Sequence, residues 1–247
     1  MAPERFPGWI ASFGDRHGAV SVRSGAPGPG ADAGAAGPAA GEPGPAVVFA
    51  AADGAVARCH APFPPVPALW AAPDPVVQAA AVQAAVVQDP GEAARLLAAH
   101  AAADRTVGVL LVRLGGYAAG VFAGAPPRLV ASKVGSRLVH GRSAAGGQSQ
   151  QRFARRREKQ AAEALAAAAD TAAGVFGRYG RPLDALVLGG DRRAMAGLRD
   201  DPRLRRYFGV AVERFLTVPD PRLAVLRETP RMFRAIRIQL TEPAPAP

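Results

Sequence analysis

The sequence predicts an α+β protein. A small α+β N-terminal region precedes a larger domain on a mixed sheet, which opens with an antiparallel hairpin and continues through crossover helices. Three observations carry this expectation. Short apolar, β-branched runs recur, separated by Asp-Gly and Gly-Gly turns. Helix-forming stretches, some opening with Asp-Pro, alternate with the later strands, the order that strand–helix–strand units require. Of 247 residues, 49% are apolar and 20% charged, the balance of a chain that buries a core. The expected division is residues 1–104 and residues 105–247.

Within the first region, Trp9, Ile10 and Phe13 stand at helical spacing, and Ala19 to Arg23 reads as a short strand. Residues 25–45 are almost entirely Gly, Ala and Pro, which bury too little to offset their ordering entropy, so a disordered insertion is expected. Val47 to Ala51 and Ala55 to His60 flank Asp53-Gly54, a hairpin signal. Pro62, Pro64, Pro65 and Pro67 make an extended segment, and two helices follow from Asp74-Pro75 and Asp89-Pro90, each with Asp as N-cap and Pro at the first position.

In the second block, Val107 to Leu114 is a strand, Gly115-Gly116 a tight turn and Tyr117 to Phe122 its return. Arg128 to Lys133 and Arg137 to His140 read as a third antiparallel strand interrupted at Gly135. A long helix is expected over residues 149–176, with Leu165, Ala168, Ala169, Ala172 and Phe176 on one face and Gly177 as its stop. Leu183 to Leu188 is a short strand, Asp191 caps a basic helix, and Val210 to Val218 is another strand. Asp220-Pro221 opens a helix, and the alternation around Ile236, Ile238 and Leu240 marks a terminal strand or a helix tail.

Charge and cysteine usage bound the function. The net charge is +10, carried almost wholly by arginine, since Lys133 and Lys159 are the only lysines. Such a balance points to a polyanion. Cys59 has no internal partner and no signal core follows Met1, so a reducing, cytoplasmic setting is expected. No apolar run reaches the ~20 residues of a bilayer span, and no membrane or DNA partner is expected. His17, His60, His100 and Cys59 lack zinc-like spacing, so no metal and no cofactor are expected. Gly189-Gly190-Asp191 lacks a full dinucleotide or phosphate-loop pattern and reads as the cap of the next helix.

The most informative segment runs from Gly141 to Arg157: a small-residue loop, a Gly146-Gly147-Gln148 tip, then an arginine-studded helix. The two glycines leave no Cβ to clash in a narrow site. The Gln148 carboxamide donates and accepts hydrogen bonds without charge, so it orients a water or stabilises an oxyanion but is no general base. Chemistry at such a tip needs a partner that completes the site. Arg152, Arg155, Arg156, Arg157 and Lys159 supply phosphate contacts to hold one, with Lys133, Arg137, Arg142 and Ser149 as further RNA-contact candidates. RNA fits that requirement.

Gly146-Gly147-Gln148-Ser149 with Arg152-Phe153-Ala154-Arg155 and Arg157 resembles the catalytic middle domain of archaeal and eukaryotic class-one peptide release factors. It is closer to their Vms-like release factor relatives, including the bacterial and actinobacterial branch, which Ser132-Lys133-Val134 and Gly135-Ser136-Arg137 also resemble. The resemblance covers Arg105 to the C-terminus. It implies an RNase H-related fold and ribosome-dependent hydrolysis of peptidyl-tRNA, with Gly146, Gly147 and Gln148 in the peptidyl-transferase centre of the large subunit and Gln148 positioning water. Relatives that read stop codons carry an Asn-Ile-Lys-Ser decoding motif, which this chain lacks, so codon-independent ribosome rescue is the implied role. Two alternatives stay open: a nuclease cutting the tRNA acceptor end, and a non-catalytic ribosome-binding factor.

Overall fold

Each unit of the chain gathers its apolar side chains on one sheet. The computed structural model describes residues 1–25, 46–64, 89–113, 115–136 and 149–243, with 24–25 and 149–157 as backbone only. Residues 26–45 of the expected insertion, the helix expected at Asp74-Pro75, the strand expected at Arg137 to His140 and the loop expected from Gly141 to Gln148 lie outside these residues. The chain divides into residues 1–103 with 234–247, and residues 104–233. The second unit therefore ends at Phe233 instead of running to the C-terminus.

The first unit holds helices α1 (Phe6–His17) and α2 (Pro90–Ala102) and strands β1 (Val20–Gly25), β2 (Ala46–Ala51), β3 (Val56–His60) and β9 (Arg237–Thr241). Its sheet order is β1-β2-β3-β9, antiparallel throughout. The β2–β3 turn follows its Asp53-Gly54 signal: Gly54 takes φ 95°, and Asp53 Oδ1 accepts from the Ala55 N–H at 2.9 Å. Phe6, Ile10 and Phe13 form the buried stripe of α1, and Phe6 meets Phe49 of β2 edge-on with centroids 6.1 Å apart. Asp89 caps α2 by accepting from the Glu92 N–H, and the alanine-rich face with Leu97 joins the same core.

The second unit follows in chain order. Its strands are β4 (Val107–Arg113), β5 (Gly116–Ala123), β6 (Arg128–Ser136), β7 (Ala185–Gly190) and β8 (Ala211–Leu216). Its helices are α3 (Ser149–Tyr179), α4 (Arg192–Arg199), α5 (Arg205–Phe208) and α6 (Leu223–Phe233). The sheet order is β6-β5-β4-β7-β8, with β4, β5 and β6 antiparallel and β4, β7 and β8 parallel. This is the mixed sheet expected: a hairpin, a third strand, then crossovers. Strand alternation gives the sheet two faces. Leu110, Val112, Ala119 and Val121 point toward Ala168, Ala169, Ala172 and Phe176 of α3. On the other face Phe122 packs against Phe233 of α6 at 5.8 Å, and Leu226 fills the space over Gly120, where a Cβ would lie 2.9 Å from it.

Several elements differ from the sequence expectations. Strand β6 runs unbroken through Gly135, because Tyr117 lies over it and a Cβ there would fall 2.5 Å from the Tyr117 hydroxyl. Helix α3 continues through Gly177 and stops at Gly180, which takes φ 72°. A glycine in a helix interior costs only ~1 kcal/mol, and Phe176 against Tyr207, centroids 5.0 Å apart, anchors this last turn. β7 starts at Ala185, with Leu183 buried ahead of it. α6 begins at Leu223, two residues beyond Pro221, and contains Pro230. Proline removes the N–H that would bond the Leu226 carbonyl, and the buried Thr229 hydroxyl donates to that carbonyl instead, at 2.7 Å.

Candidate RNA-facing site

The candidate site grows from the β6–α3 connection. Because β6 and β4 are both antiparallel to β5, and β7 and β8 are parallel to β4, these four strands point the same way. Strand β6 therefore ends, at Ser136, on the edge of the sheet where β4 finishes at Arg113 and β7 at Gly190. That end is tied: the Asp191 N–H donates to the Val112 carbonyl at 2.7 Å. Asp191 Oδ1 in turn accepts from the N–H groups of Arg193 and Ala194 at 2.7 and 3.2 Å, the cap expected of it.

Beyond the loop, α3 has two parts. From Ala164 to Phe176 its buried residues lie on the sheet. Ahead of Ala164, residues 158–163 are exposed except for half-buried Gln160. The helix begins fifteen residues ahead of Ala164, its first buried residue among those described, about 22 Å at 1.5 Å per residue. At 100° per residue, positions 152, 155, 156 and 159 share an arc of about 100°. That arc lies opposite the one holding Ala164, Ala168, Ala172 and Val175. Arg157 falls outside it. Between Arg137 and Lys159 the chain has seven lysines and arginines against one acid, Glu158. Ser149 is the first residue of the helix.

Of the other expected contacts, Lys133 is exposed on β6 and pairs in register with Ala119, which places it on the sheet face that α3 covers. Arg137, Arg142, Gly146, Gly147 and Gln148 lie outside the described residues. Where β6 ends, a groove of about 460 Å³ is lined by Gly135, Ser136, Asp220, Arg222 and Arg113 among others. The Arg113 guanidinium donates to the Val218 carbonyl at 2.8 Å. Sequence reasoning did not find Arg113 or Arg222, which no motif joins; the pairing of β4, β5 and β6 brings Arg113 beside Ser136, and Pro221, lying against Gly116, brings Arg222 to the same place.

His17, His60, His100 and Cys59 all lie in the first unit. His17 Nδ1 is 2.8 Å from Asp53 Oδ2, His60 Nε2 lies 3.2 Å from Gln239 Oε1, and His100 Nε2 lies 2.6 Å from the Phe63 carbonyl. The Ala55 N–H and then His17 hold the Asp53 carboxyl below its ordinary range. Burial pushes the Cys59 thiol up. In the second unit, burial lowers the Arg105 guanidinium and Asp184 opposes that shift. Among the described residues no three His, Cys, Asp or Glu side chains gather as a metal site, and no helix is long and apolar enough to cross a membrane.

A search of curated proteins finds no match to this chain. The family model described as the Actinobacteria/chloroflexi VLRF1 release factor matches residues 105–239, taking in the mixed sheet, the loop and the α3 arm. With more than half of its length under that model, the chain belongs to this release factor family.

Proposed function

We propose that the protein is a codon-independent peptidyl-tRNA hydrolase that frees nascent peptides from tRNA on stalled ribosomes or large subunits. One observation carries the reading: Gly146-Gly147-Gln148 directly precedes, in sequence, a cation-bearing helix that begins fifteen residues, about 22 Å of helix axis, ahead of Ala164, its first buried residue among those described. A tip on such an arm reaches a recessed site while the bulk of the domain stays outside. Gly146 and Gly147 let the backbone pass a constriction, and Gln148 orients a water for attack on the ester carbonyl. The water's oxygen bonds to the peptide carbonyl carbon, the bond to the tRNA 3′-oxygen breaks, and that oxygen takes a proton. The products are a free peptide carboxyl and an intact CCA end. The ribosome supplies the remaining catalytic groups, since Gln148 holds no titratable proton. Arg152, Arg155, Arg156 and Lys159 hold phosphates along the arm, aided by Arg157, Lys133, Arg137, Arg142 and Ser149.

The test incubates peptidyl-tRNA-bearing large subunits and intact ribosomes with wild type and with Gln148→Ala, resolving peptide, tRNA and tRNA 3′ ends together. Wild type should release peptide with an intact CCA end, and Gln148→Ala should lose about 10²-fold or more, the scale of one lost oxyanion-type contact. Equal release by both would overturn the assignment. A shortened tRNA would identify a nuclease, a reading disfavoured by the absence of any Asp or Glu between Arg137 and Arg157 to hold paired Mg²⁺. Binding without release would make it a non-catalytic factor.

A further inference from the structure

A second basic surface flanks the packed half of α3. Residues 192–206 carry six arginines against Asp200 and Asp201. Asp201 is engaged by Arg203 at 2.7 Å, and Arg203 also pairs with Asp170. Arg192, Arg193, Arg199, Arg205 and Arg206 are exposed and make no ion pair among the described residues. Three of these five lie over aromatic rings. Arg192 stands 4.4 Å from the Phe215 centroid, Arg199 5.2 Å from Phe208, and Arg206 4.6 Å from Tyr207, whose hydroxyl accepts from Arg206 Nη2 at 2.6 Å. A guanidinium stacked in this way is already ordered, so it loses less freedom on meeting a phosphate.

The placement makes these residues one surface. Gly197 of α4 lies against Leu165 of α3, where a Cβ would approach it to 3.2 Å, and Tyr207 of α5 meets Phe176. The arginines therefore follow α3 from Leu165 to Phe176, about 16 Å of helix, beginning where the cationic arm ends. Asp191 already occupies the first N–H groups of α4, so the positive potential here belongs to side chains and not to the helix end. A membrane surface is a poorer fit than a polyanion chain, because the aromatic rings that would insert lie under guanidinium groups.

We propose that the α4–α5 face is a second RNA-binding surface, distinct from the arm, which takes the phosphodiester backbone of structured RNA. It anchors the domain while the arm reaches, and it does not depend on whether Gln148 hydrolyses anything. The test titrates a labelled RNA hairpin with full-length protein over a range of salt. Arg→Gln at 192, 193, 199, 205 and 206 should weaken binding at least tenfold and lower the slope of log K against log salt by about 2, the loss of two to three phosphate contacts. Arg193→Glu/Arg205→Glu, which touches no ring contact, should weaken binding in the same direction with an unchanged melting temperature. Gln148→Ala should bind RNA as wild type does, which separates a failure here from a failure of the hydrolase reading. Unchanged affinity and slope in both arginine variants would overturn the proposal. So would variants that lose binding to phosphatidylglycerol vesicles while keeping it for RNA.

Discussion

Gly190→Ala puts a methyl group where the second unit has no room for it. Gly190 takes φ 101°, and a Cβ there would stand 2.1 Å from the Val112 carbonyl oxygen and 2.8 Å from its carbon. Both are backbone atoms of the central strand β4, so no side-chain rotation relieves the overlap. An alanine forced to this φ costs about 1–3 kcal/mol. Relief by backbone displacement stretches the hydrogen bond from the Asp191 N–H to the Val112 oxygen, worth about 0.5–1.5 kcal/mol net. The expected destabilisation is about 2–4 kcal/mol, or a melting temperature roughly 6–15 °C lower for a unit of this size. The same substitution at Gly177 should act oppositely. Gly177 is exposed inside α3 with nothing nearer than 4.0 Å to a new Cβ, so Gly177→Ala should stabilise by about 0.5–1 kcal/mol. Urea unfolding followed by circular dichroism at 222 nm reads both. A Gly190→Ala variant within about 1 kcal/mol of wild type, or two variants shifted the same way, would refute the reasoning.

Other substitutions test single contacts. Thr229→Val keeps the shape but leaves the Leu226 carbonyl without a donor beside Pro230, and should cost about 1–3 kcal/mol by urea unfolding. Phe176→Ala removes a side chain 2% exposed between α3 and Tyr207, and should cost about 3–5 kcal/mol in the same assay. Asp53 has a folded pKa below its unfolded value, so its contribution to stability is present above the unfolded pKa and is lost as pH falls through the folded one. Asp53→Asn should therefore flatten the acid side of a melting-temperature profile, and a profile as steep as wild type would count against the His17 and Ala55 contacts. Cys59, fully buried with its thiol pKa raised, should resist a thiol reagent at neutral pH until the first unit unfolds. Deletion of residues 237–247, which removes the β9 partner Ile238, should make it react.

Local signals foretold what local physics controls. The Asp53-Gly54 turn, the Asp89 and Asp191 caps and the stripe on α3 each follow from a few neighbouring residues, whereas the turn expected at Gly115-Gly116 falls one residue earlier, because Gly116 already pairs with Arg113 as the first residue of β5. The ends of elements were less legible, because tertiary contacts set them. Gly135 looks like a strand breaker until Tyr117 is seen to occupy its missing side chain, and Gly177 looks like a helix stop until Phe176 is seen to be pinned by Tyr207. Pro230 stays inside α6 only because Thr229 replaces the lost donor. At the candidate site the loop, its tip and the cations on α3 were readable as a motif. The groove at Arg113 and Arg222 and the stacking of Arg192 on Phe215 and of Arg199 on Phe208 were not, since tertiary packing alone joins those residues.

The pairing of β9 with β3 also sets an order of events during synthesis. Cys59 and Ile238 face each other across this ladder, yet the whole second unit is translated between them. Until residues 237–241 emerge, β3 presents an unpaired edge, and the first unit has three of its four strands. The second unit has all its strands and helices once Phe233 has left the ribosome. The domain bearing the arm is therefore able to fold before the region that precedes it in sequence, and the earlier-made sheet closes last.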